Sequence, residues 1–243
     1  MNEAPTKAKI LPFYLVVDVS YSMVNDGKLD SANTIVEELQ NALVDQPVIA
    51  DKVRFSVIDF SDQARVLIPL CDLSMEPPGQ SSFTASGGTS YVAAFRTLRS
   101  QIEQDVAQLK ADGFDVHRPA VFFISDGEPT DVDAEWRQAF EELTAYDKST
   151  KNGFPFYPNV IPFGIGANPE TLKELIHPRD RSKSYFMKDD ANPGEALRQM
   201  AEILVASTLM SGASFGNGGP GFVLPEDGEL GDNVMSADYG DLL

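Results

Sequence analysis

Five side chains carry oxygen atoms at positions from which they could bind a metal ion together. They are Asp18, Ser20, Ser22, Thr89 and Asp126. These residues belong to three segments, 18–22 (DVSYS), 87–90 (GGTS) and 125–130 (SDGEPT), each of which follows a predicted strand or opens a predicted helix. In an open α/β sheet, ligands bind at the carboxyl ends of the strands, so we expect the three segments to meet at that edge.

Hydroxyl and carboxylate oxygens are the ligands of a hard divalent cation. Mg²⁺ takes about six oxygens in a near-octahedral shell and often keeps several waters. Ser20, Ser22 and Thr89 can supply hydroxyl oxygens, and Asp18 and Asp126 can add carboxylates directly or through water. The sequence contains no His or Cys cluster with the spacing of a zinc site, which disfavours a soft metal. The pattern therefore predicts bound Mg²⁺, with Mn²⁺ or Ca²⁺ as the alternatives.

Each segment taken alone also has a simpler interpretation. Asp18, Ser20 and Ser22 could form a helix-capping loop, because Ser and Asp favour such positions. Asp126 could instead cap the following helix through an Asp-Gly turn. The presence of all three segments favours the metal site, because convergent polar groups are what a ligand site requires.

Hydrophobic patterns predict the elements that must position these segments. Continuous apolar runs are typical of strands buried on both faces, and apolar residues spaced by three or four indicate helices. We predict strands at 13–17, 53–60, 64–70, 120–125, 160–165 and 184–187, and helices at 31–44, 90–110, 133–147, 169–176 and 193–209. This alternation predicts an α/β fold with a doubly wound, mostly parallel six-stranded sheet and helices on both faces. The tight turn at 61–63 predicts that 64–70 is an antiparallel edge strand.

The length and composition indicate one domain with a C-terminal extension. A chain of 243 residues is long enough for one α/β domain with a full core. We assign residues 1–210 to that domain. Residues 211–243 are rich in glycine and acidic residues and contain no Lys or Arg, which predicts a flexible acidic tail.

The charge and the single cysteine disfavour several classes of function. The formal net charge of −18, from 19 basic and 37 acidic residues, disfavours binding to nucleic acids and to anionic membrane surfaces. No stretch approaches the roughly 18 apolar residues of a membrane helix. The lone Cys71 cannot form an internal disulfide, which fits a reducing compartment, and a catalytic thiol is the alternative. These features predict a cytoplasmic protein with no nucleic-acid partner and no membrane insertion.

The order Asp18-x-Ser20-x-Ser22, then Thr89, then Asp126, resembles the metal-ion-dependent adhesion site (MIDAS) of von Willebrand factor A (VWA) domains. The order and strand context match over roughly residues 10–210. The resemblance implies that the carboxylate of a protein partner fills the last coordination position of the metal.

Tyr21 departs from the family pattern, in which this position is usually Gly. A positive φ at this position would be unfavourable for Tyr. If the loop does not need one, the ring projects from the ligand face. We therefore hypothesise that Tyr21 borders the metal and contacts the partner.

Four longer stretches narrow the resemblance. They are LPFYLVVDVSYSM, VIDFSDQARVLIPL, SASGGTSYVAAF and FFISDGEPTD. They are similar to the VWA proteins of bacterial tellurite-resistance operons (TerY-type). This similarity implies a stress-response or kinase–phosphatase signalling system, with a PP2C-type phosphatase or a Ser/Thr-kinase-like protein as the partner.

Three classes of function are compatible with a metal site on this fold. A non-enzymatic, metal-dependent protein-binding adaptor is the prediction, and a Mg²⁺-dependent phosphoryl-transfer enzyme and a metal-independent scaffold are the alternatives. The enzyme is disfavoured because the sequence has no Walker-type loop and no Lys or Arg within the three segments. Asp18 also lacks a second carboxylate two residues further on.

Overall fold

A mostly parallel sheet forms the centre of the fold, with helices on both faces. The structure is a computed structural model that describes residues 7–75, 82–216, 222–226 and 231–240. The strands are β1 (Lys9–Asp18), β2 (Val53–Phe60), β3 (Ala64–Cys71), β4 (Asp115–Val116), β5 (Ala120–Ser125), β6 (Tyr146–Asp147), β7 (Asn152–Gly153), β8 (Asn159–Gly164), β9 (Lys183–Met187) and β10 (Val234–Asp238). The helices are α1 (Lys28–Val44), α2 (Pro47–Ala50), α3 (Tyr91–Ala111), α4 (Asp133–Thr144), α5 (Pro169–Glu174) and α6 (Pro193–Gly216), with 3₁₀ segments at Tyr21–Gly27 and Leu73–Met75.

The strand order agrees with a doubly wound sheet. It is β10-β9-β8-β5-β1-β2-β3, and the short β4 pairs with β1. β1 lies parallel between β2 and β5, and β8 and β9 continue the parallel arrangement beyond β5. β3 is antiparallel to β2 at one edge, as predicted. The predicted fold class is confirmed, and β10 adds a second antiparallel strand at the other edge.

Apolar side chains on both faces of the central strands build two cores. On one face Phe13 stacks between Phe55 and Phe122, with ring centroids 5.2 and 5.9 Å away. Residues of α1 and α6 cover this face. On the opposite face, α3 and α4 cover Phe60 and Phe123, whose rings lie 5.1 Å apart. Because both faces are buried, the central strands are continuous apolar runs without polar alternation.

Several predicted helix bounds differ from the structure, including the start of α1 and the end of α4. α1 begins at Lys28 and not at residue 31, because a 3₁₀ segment leads directly into it. α4 ends at Thr144 and not at residue 147, because the next residues form β6, which pairs with β7. No helix in the described part of the chain is long and apolar enough to cross a membrane.

The C-terminal segment is folded where the structure describes it. α6 continues past its predicted end to Gly216. The hydroxyl of the buried Ser211 accepts the backbone N–H of Val223 at 2.8 Å. Phe222 and Leu224 pack against the core that α1 and α6 cover. β10 then adds an edge to the sheet.

The prediction of a flexible tail from residue 211 is therefore wrong for residues 211–216, 222–226 and 231–240. The rest of the predicted tail, residues 217–221, 227–230 and 241–243, lies outside the described residues. The physical reason for the difference is in β10, where Val234 and Ala237 are buried and Met235 and Asp238 are exposed. A half-buried strand of this kind keeps an acidic composition on its outer positions, so composition alone does not reveal it.

Two substitutions in β10 test whether this strand belongs to the folded domain. Val234→Asp should lower the free energy of unfolding by at least about 2 kcal/mol, because it places a carboxylate in the core. Met235 is 48% exposed, so Met235→Asp should change it by less than about 0.5 kcal/mol. Urea unfolding of both variants measures the difference, and equal stabilities would contradict the docking of β10.

Candidate metal site

β1 and β5 end side by side, and the loops after them hold a buried carboxylate. Val17 is paired with Ile124 in the parallel register, so Asp18 and Ser125 extend to the same edge of the sheet. The Asp18 side chain is fully buried. Its Oδ1 accepts the backbone N–H of Ser20 at 2.8 Å, and its Oδ2 accepts the hydroxyl of Ser125 at 2.8 Å.

Burial makes Asp18 a carboxylate that a nearby cation would stabilise. Removal from water raises the pKa of Asp18 to about 6. The hydrogen bonds from Ser20 and Ser125 lower this pKa, and the neighbouring charge of Asp126 raises it. Two dipolar hydrogen bonds offset only part of the cost of burying a charge, so a bound metal ion would favour the ionised form.

Ser22 connects the first segment to the third. Its Oγ lies 2.9 Å from the Oγ of Ser20 and donates to Oδ1 of Asp126 at 2.7 Å. Four of the five predicted residues, Asp18 among them, thus form one hydrogen-bonded group across β1 and β5. Hydroxyls that donate to a carboxylate keep their lone pairs available, which is the arrangement a metal ligand needs.

Thr89 approaches the same group from the second segment. It is 5% exposed, and its backbone oxygen accepts the N–H of Thr130 at 2.8 Å and the hydroxyl of Thr130 at 3.1 Å. Its Oγ1 would lie 3.6 Å from a Cβ added to Gly127, the residue after Asp126. The structure therefore brings the loops of all five predicted residues to one edge of the sheet.

The donor set fits a hard divalent cation. It consists of three hydroxyl and two carboxylate side chains, all of them oxygen ligands. Within the described ranges, no group of three or more His, Cys, Asp and Glu residues could hold a metal ion. Any metal at this edge would therefore depend on neutral hydroxyls for half or more of its protein ligands. Ligation by these five residues stays a prediction.

A comparison with known proteins supports the fold. Residues 13–128 match the family model of the von Willebrand factor type A domain. Over these residues the chain is similar to VWA domains. The von Willebrand factor type A protein from Catenulispora acidiphila superposes with a TM-score of 0.56 at 14% identity, covering 83% of this chain and 43% of that one. No curated protein matches the sequence.

Two other solved structures have a similar fold. The pilus adhesin SpaC from Lactobacillus rhamnosus GG has a TM-score of 0.55 at 13% identity, covering 84% of this chain and 31% of that one. Proximal thread matrix protein 1 from the mussel byssus, solved with a zinc-occupied MIDAS motif, has a TM-score of 0.50 at 16% identity, covering 83% of this chain and 48% of that one. The chain covers less than half the length of each of these proteins.

Lys28 is a functional candidate that the sequence analysis missed. Its Nζ lies 2.5 Å from Oδ2 of Asp126 and 3.4 Å from the backbone oxygen of Ser22. No basic residue lies within the three segments, but the first residue of α1 reaches the site from outside them. Because the helix was predicted to begin at residue 31, no sequence pattern indicated that Lys28 would lie next to Asp126.

Two aspartates outside the predicted set have structural roles in this fold. The Oδ1 of Asp131 accepts the hydroxyl of Ser90 at 2.8 Å, and its Oδ2 accepts the N–H of Val92 at 3.0 Å. Asp131 therefore caps the amino end of α3 and ties it to the third segment. Asp59 is buried and forms a two-pronged ion pair with Arg65.

The backbone at Tyr21 does not need a positive φ. The positive-φ residues other than glycine, in the described part of the chain, are Asp26 and Lys151. Tyr21 begins the 3₁₀ segment, and its side chain is 67% exposed. The replacement of Gly by Tyr thus leaves the loop unstrained and puts a ring at the surface beside Ser20 and Ser22.

Asp62 and Gly87 hold the second segment against the first. The N–H of Gly88 donates to Oδ1 of Asp62 at 2.9 Å, and the N–H of Tyr21 donates to the oxygen of Gly87 at 3.3 Å. Gly87 has φ +63°, and a Cβ there would lie 2.3 Å from Oδ2 of Asp62. Only glycine satisfies both the backbone angle and the close approach.

Gly87→Ala should therefore destabilise the domain more than the matched substitution Gly27→Ala. Gly27 also has a positive φ, +71°, but a Cβ there meets nothing within 4 Å. We expect Gly27→Ala to cost about 1 kcal/mol from the backbone alone, and Gly87→Ala to cost at least about 2 kcal/mol because Asp62 must move. Chemical denaturation of the two variants decides this, and equal losses would mean that Asp62 yields freely.

Proposed function

We propose that this protein is a non-enzymatic adaptor that binds a protein partner through a Mg²⁺ ion. The proposed ligands are Asp18, Ser20, Ser22, Thr89 and Asp126. The observation that carries the proposal is the buried Asp18 carboxylate, which accepts the backbone N–H of Ser20 and the hydroxyl of Ser125. The hydroxyls of Ser20 and Ser22 connect this segment to the carboxylate of Asp126. Such a group is costly to bury without a cation and offers oxygen ligands to one.

The proposed partner supplies an anionic oxygen, in keeping with the family resemblance. Hydroxyl ligands are neutral, so a cation held largely by them stays under-neutralised and attracts a further carboxylate. The protein as a whole has a formal charge of −18, which repels acidic proteins over most of its surface. A loaded metal site would make one place on that surface attractive to a carboxylate, which restricts binding to one orientation.

The choice of Mg²⁺ rests on the oxygen-only donor set. One similar structure holds zinc in its MIDAS motif, so the fold itself does not select the metal. Zinc favours His and Cys ligands, and the proposed set has neither. Mn²⁺ and Ca²⁺ accept the same oxygens and are the alternatives that a titration separates.

The biological setting belongs to the same proposal. The loop sequences resemble the VWA proteins of tellurite-resistance operons, which supports a cytoplasmic stress-response or kinase–phosphatase system. A PP2C-type phosphatase or a Ser/Thr-kinase-like protein is then the partner to test first. Such proteins present surface Asp and Glu residues that can complete the metal shell.

Lys28 supports the phosphoryl-transfer alternative in one respect, because its ammonium could neutralise a phosphoryl group. That lysine is already paired with Asp126, however, and both oxygens of Asp18 accept hydrogen bonds within the protein. Nothing else favours the enzyme, since residue 20 is Ser and not a second carboxylate. The thiol alternative fails on position, because Cys71 pairs with Phe55 toward the amino end of β2, away from the site.

Calorimetric titration tests the proposed metal ligands. Wild-type protein should bind one Mg²⁺ in calorimetric titration, and EDTA should remove it. Asp18→Asn keeps the shape of the side chain and removes its charge, so it should weaken binding by at least about tenfold. Thr89→Val, which removes only a hydroxyl, should also weaken it.

The matched control for this experiment is Asp112→Asn. Asp112 caps the far end of α3, so the substitution removes the same charge about 30 Å from the site. Its Mg²⁺ affinity should equal that of the wild type. Unchanged affinity in Asp18→Asn, or equal weakening in both variants, would refute the ligand assignment.

A substitution at Tyr21 tests the proposed surface for the protein partner. Tyr21→Ala should reduce affinity for a partner captured in Mg²⁺ by about tenfold, because exposed aromatic residues beside a binding site often dominate the energy. Its Mg²⁺ affinity should stay that of the wild type, since Tyr21 supplies no metal ligand. Val24→Ala, at a neighbouring exposed residue, is the control. Partner binding unaffected by Tyr21→Ala would remove Tyr21 from the interface.

A further inference from the structure

The ion pair between Lys28 and Asp126 lies inside the proposed metal site. The Nζ of Lys28 is 2.5 Å from Oδ2 of Asp126, whose side chain is fully buried, and the lysine side chain is only 12% exposed. An ion pair between a surface lysine and a carboxylate usually stays solvated and contributes little to the stability of the fold. Here both side chains are withdrawn from water, so each charge depends on the other for compensation.

The remaining contacts of Asp126 show what the lysine does. Its Oδ1 accepts the hydroxyl of Ser22, and its Oδ2 accepts the ammonium of Lys28. The ammonium also lies 3.4 Å from the backbone oxygen of Ser22. Lys28 therefore contacts two oxygen atoms of the same loops that carry the proposed metal ligands, as a cation bound there would do.

The charges of the site follow from these contacts. Asp18 and Asp126 bring two negative charges when ionised, and Lys28 brings one positive charge. The metal-free site thus has a net charge of −1, and a divalent cation changes it to +1. A metal ion that enters must approach a fixed ammonium and share Asp126 with it, and both effects lower its affinity.

We propose that Lys28 is a tethered counter-cation, which stabilises the metal-free site through Asp126 and competes with the divalent metal for it. This inference rests on the proposed function, because it concerns the same site. It explains how two carboxylates can stay buried before a metal arrives. It also means that the loaded site keeps a positive charge that an anionic partner can neutralise.

A simpler role for Lys28 makes a different prediction. If the ion pair only braces the loops, its removal lowers stability equally with and without metal. If the ammonium competes with the metal, its removal destabilises the metal-free protein alone and strengthens metal binding, because the two effects are linked through one cycle. The two roles are therefore separable by measurements on the same variants.

The test compares wild type with Lys28→Met and Lys28→Arg. Lys28→Met keeps an unbranched side chain and loses the charge, and Lys28→Arg keeps the charge. We expect Lys28→Met to bind Mg²⁺ at least about tenfold more tightly by calorimetry. In EDTA its Tm should fall by about 3–6 °C, and in saturating Mg²⁺ it should return to the wild-type value. Lys28→Arg should stay within about threefold of the wild-type affinity.

Lys52→Met is the matched control for net charge. Lys52 directly precedes β2, at the opposite edge of the sheet, so the substitution removes one positive charge far from the site. It should leave the Mg²⁺ affinity unchanged. If it tightens binding as much as Lys28→Met does, the overall charge of the protein is the cause and the inference is overturned.

The other outcomes separate the inference from the proposed function. Equal Mg²⁺ affinity in wild type and Lys28→Met would overturn the competition and leave the metal site standing. Binding of Mg²⁺ by Lys28→Met alone would support the competition but contradict the proposed function, which requires the wild type to bind Mg²⁺. Absence of binding in every variant would overturn the proposed metal site and the inference with it. If Lys28→Met does not fold, Lys28→Gln, which keeps a donor to Asp126 without the charge, answers the same question.

Discussion

The buried carboxylate of Asp18, at the point where β1 and β5 end together, constrains the rest of the site. Its two oxygens accept the N–H of Ser20 and the hydroxyl of Ser125, so it ties the first segment to the third. The geometry of Ser22 and Asp126 follows from that connection. A carboxylate in this place is costly in free energy unless compensating charge lies near it. The packing of the surrounding core must therefore be stable enough to offset the cost of burying the Asp18 carboxylate.

The sheet provides this rigidity through its central strand. β1 pairs with β2 on one side and β5 on the other, and it is buried on both faces. The stack of Phe13 between Phe55 and Phe122 connects the same three strands by side-chain packing. Because the carboxyl end of β1 cannot move without disturbing both cores, the loop that follows it begins from a fixed position.

Electrostatics at this edge differ from those of the whole molecule. The chain carries a formal charge of −18, yet its two site carboxylates are balanced in part by Lys28 at the start of α1. Asp59 is likewise paired with Arg65, on the strand next to the site. The acidic surface and the ion-paired interior carboxylates thus have different effects. An acidic surface favours solubility and repels acidic molecules, whereas the interior pairs keep the carboxylates in place.

Much of the fold was predictable because it depends on local patterns. β2 and β5 have the predicted bounds, since each is a mainly apolar run between turn residues, and α3 begins within one residue of its predicted start. β10 was not predictable in this way, because its two buried residues occur among glycines and acidic residues. Its assignment depends on the open edge of β9, which no local pattern reports.

The sequence by itself determined the class of fold, the order of the loops and the five candidate ligands, because strand ends and residue types can be read along the chain. Only the tertiary structure decided what surrounds those ligands. Lys28, Asp62 and Asp131 act across space on segments far from them in the chain, through Asp126, Gly88 and Ser90. Contacts of this kind have no periodicity and no fixed spacing. They exist only once the packed sheet has brought the loops together at one edge.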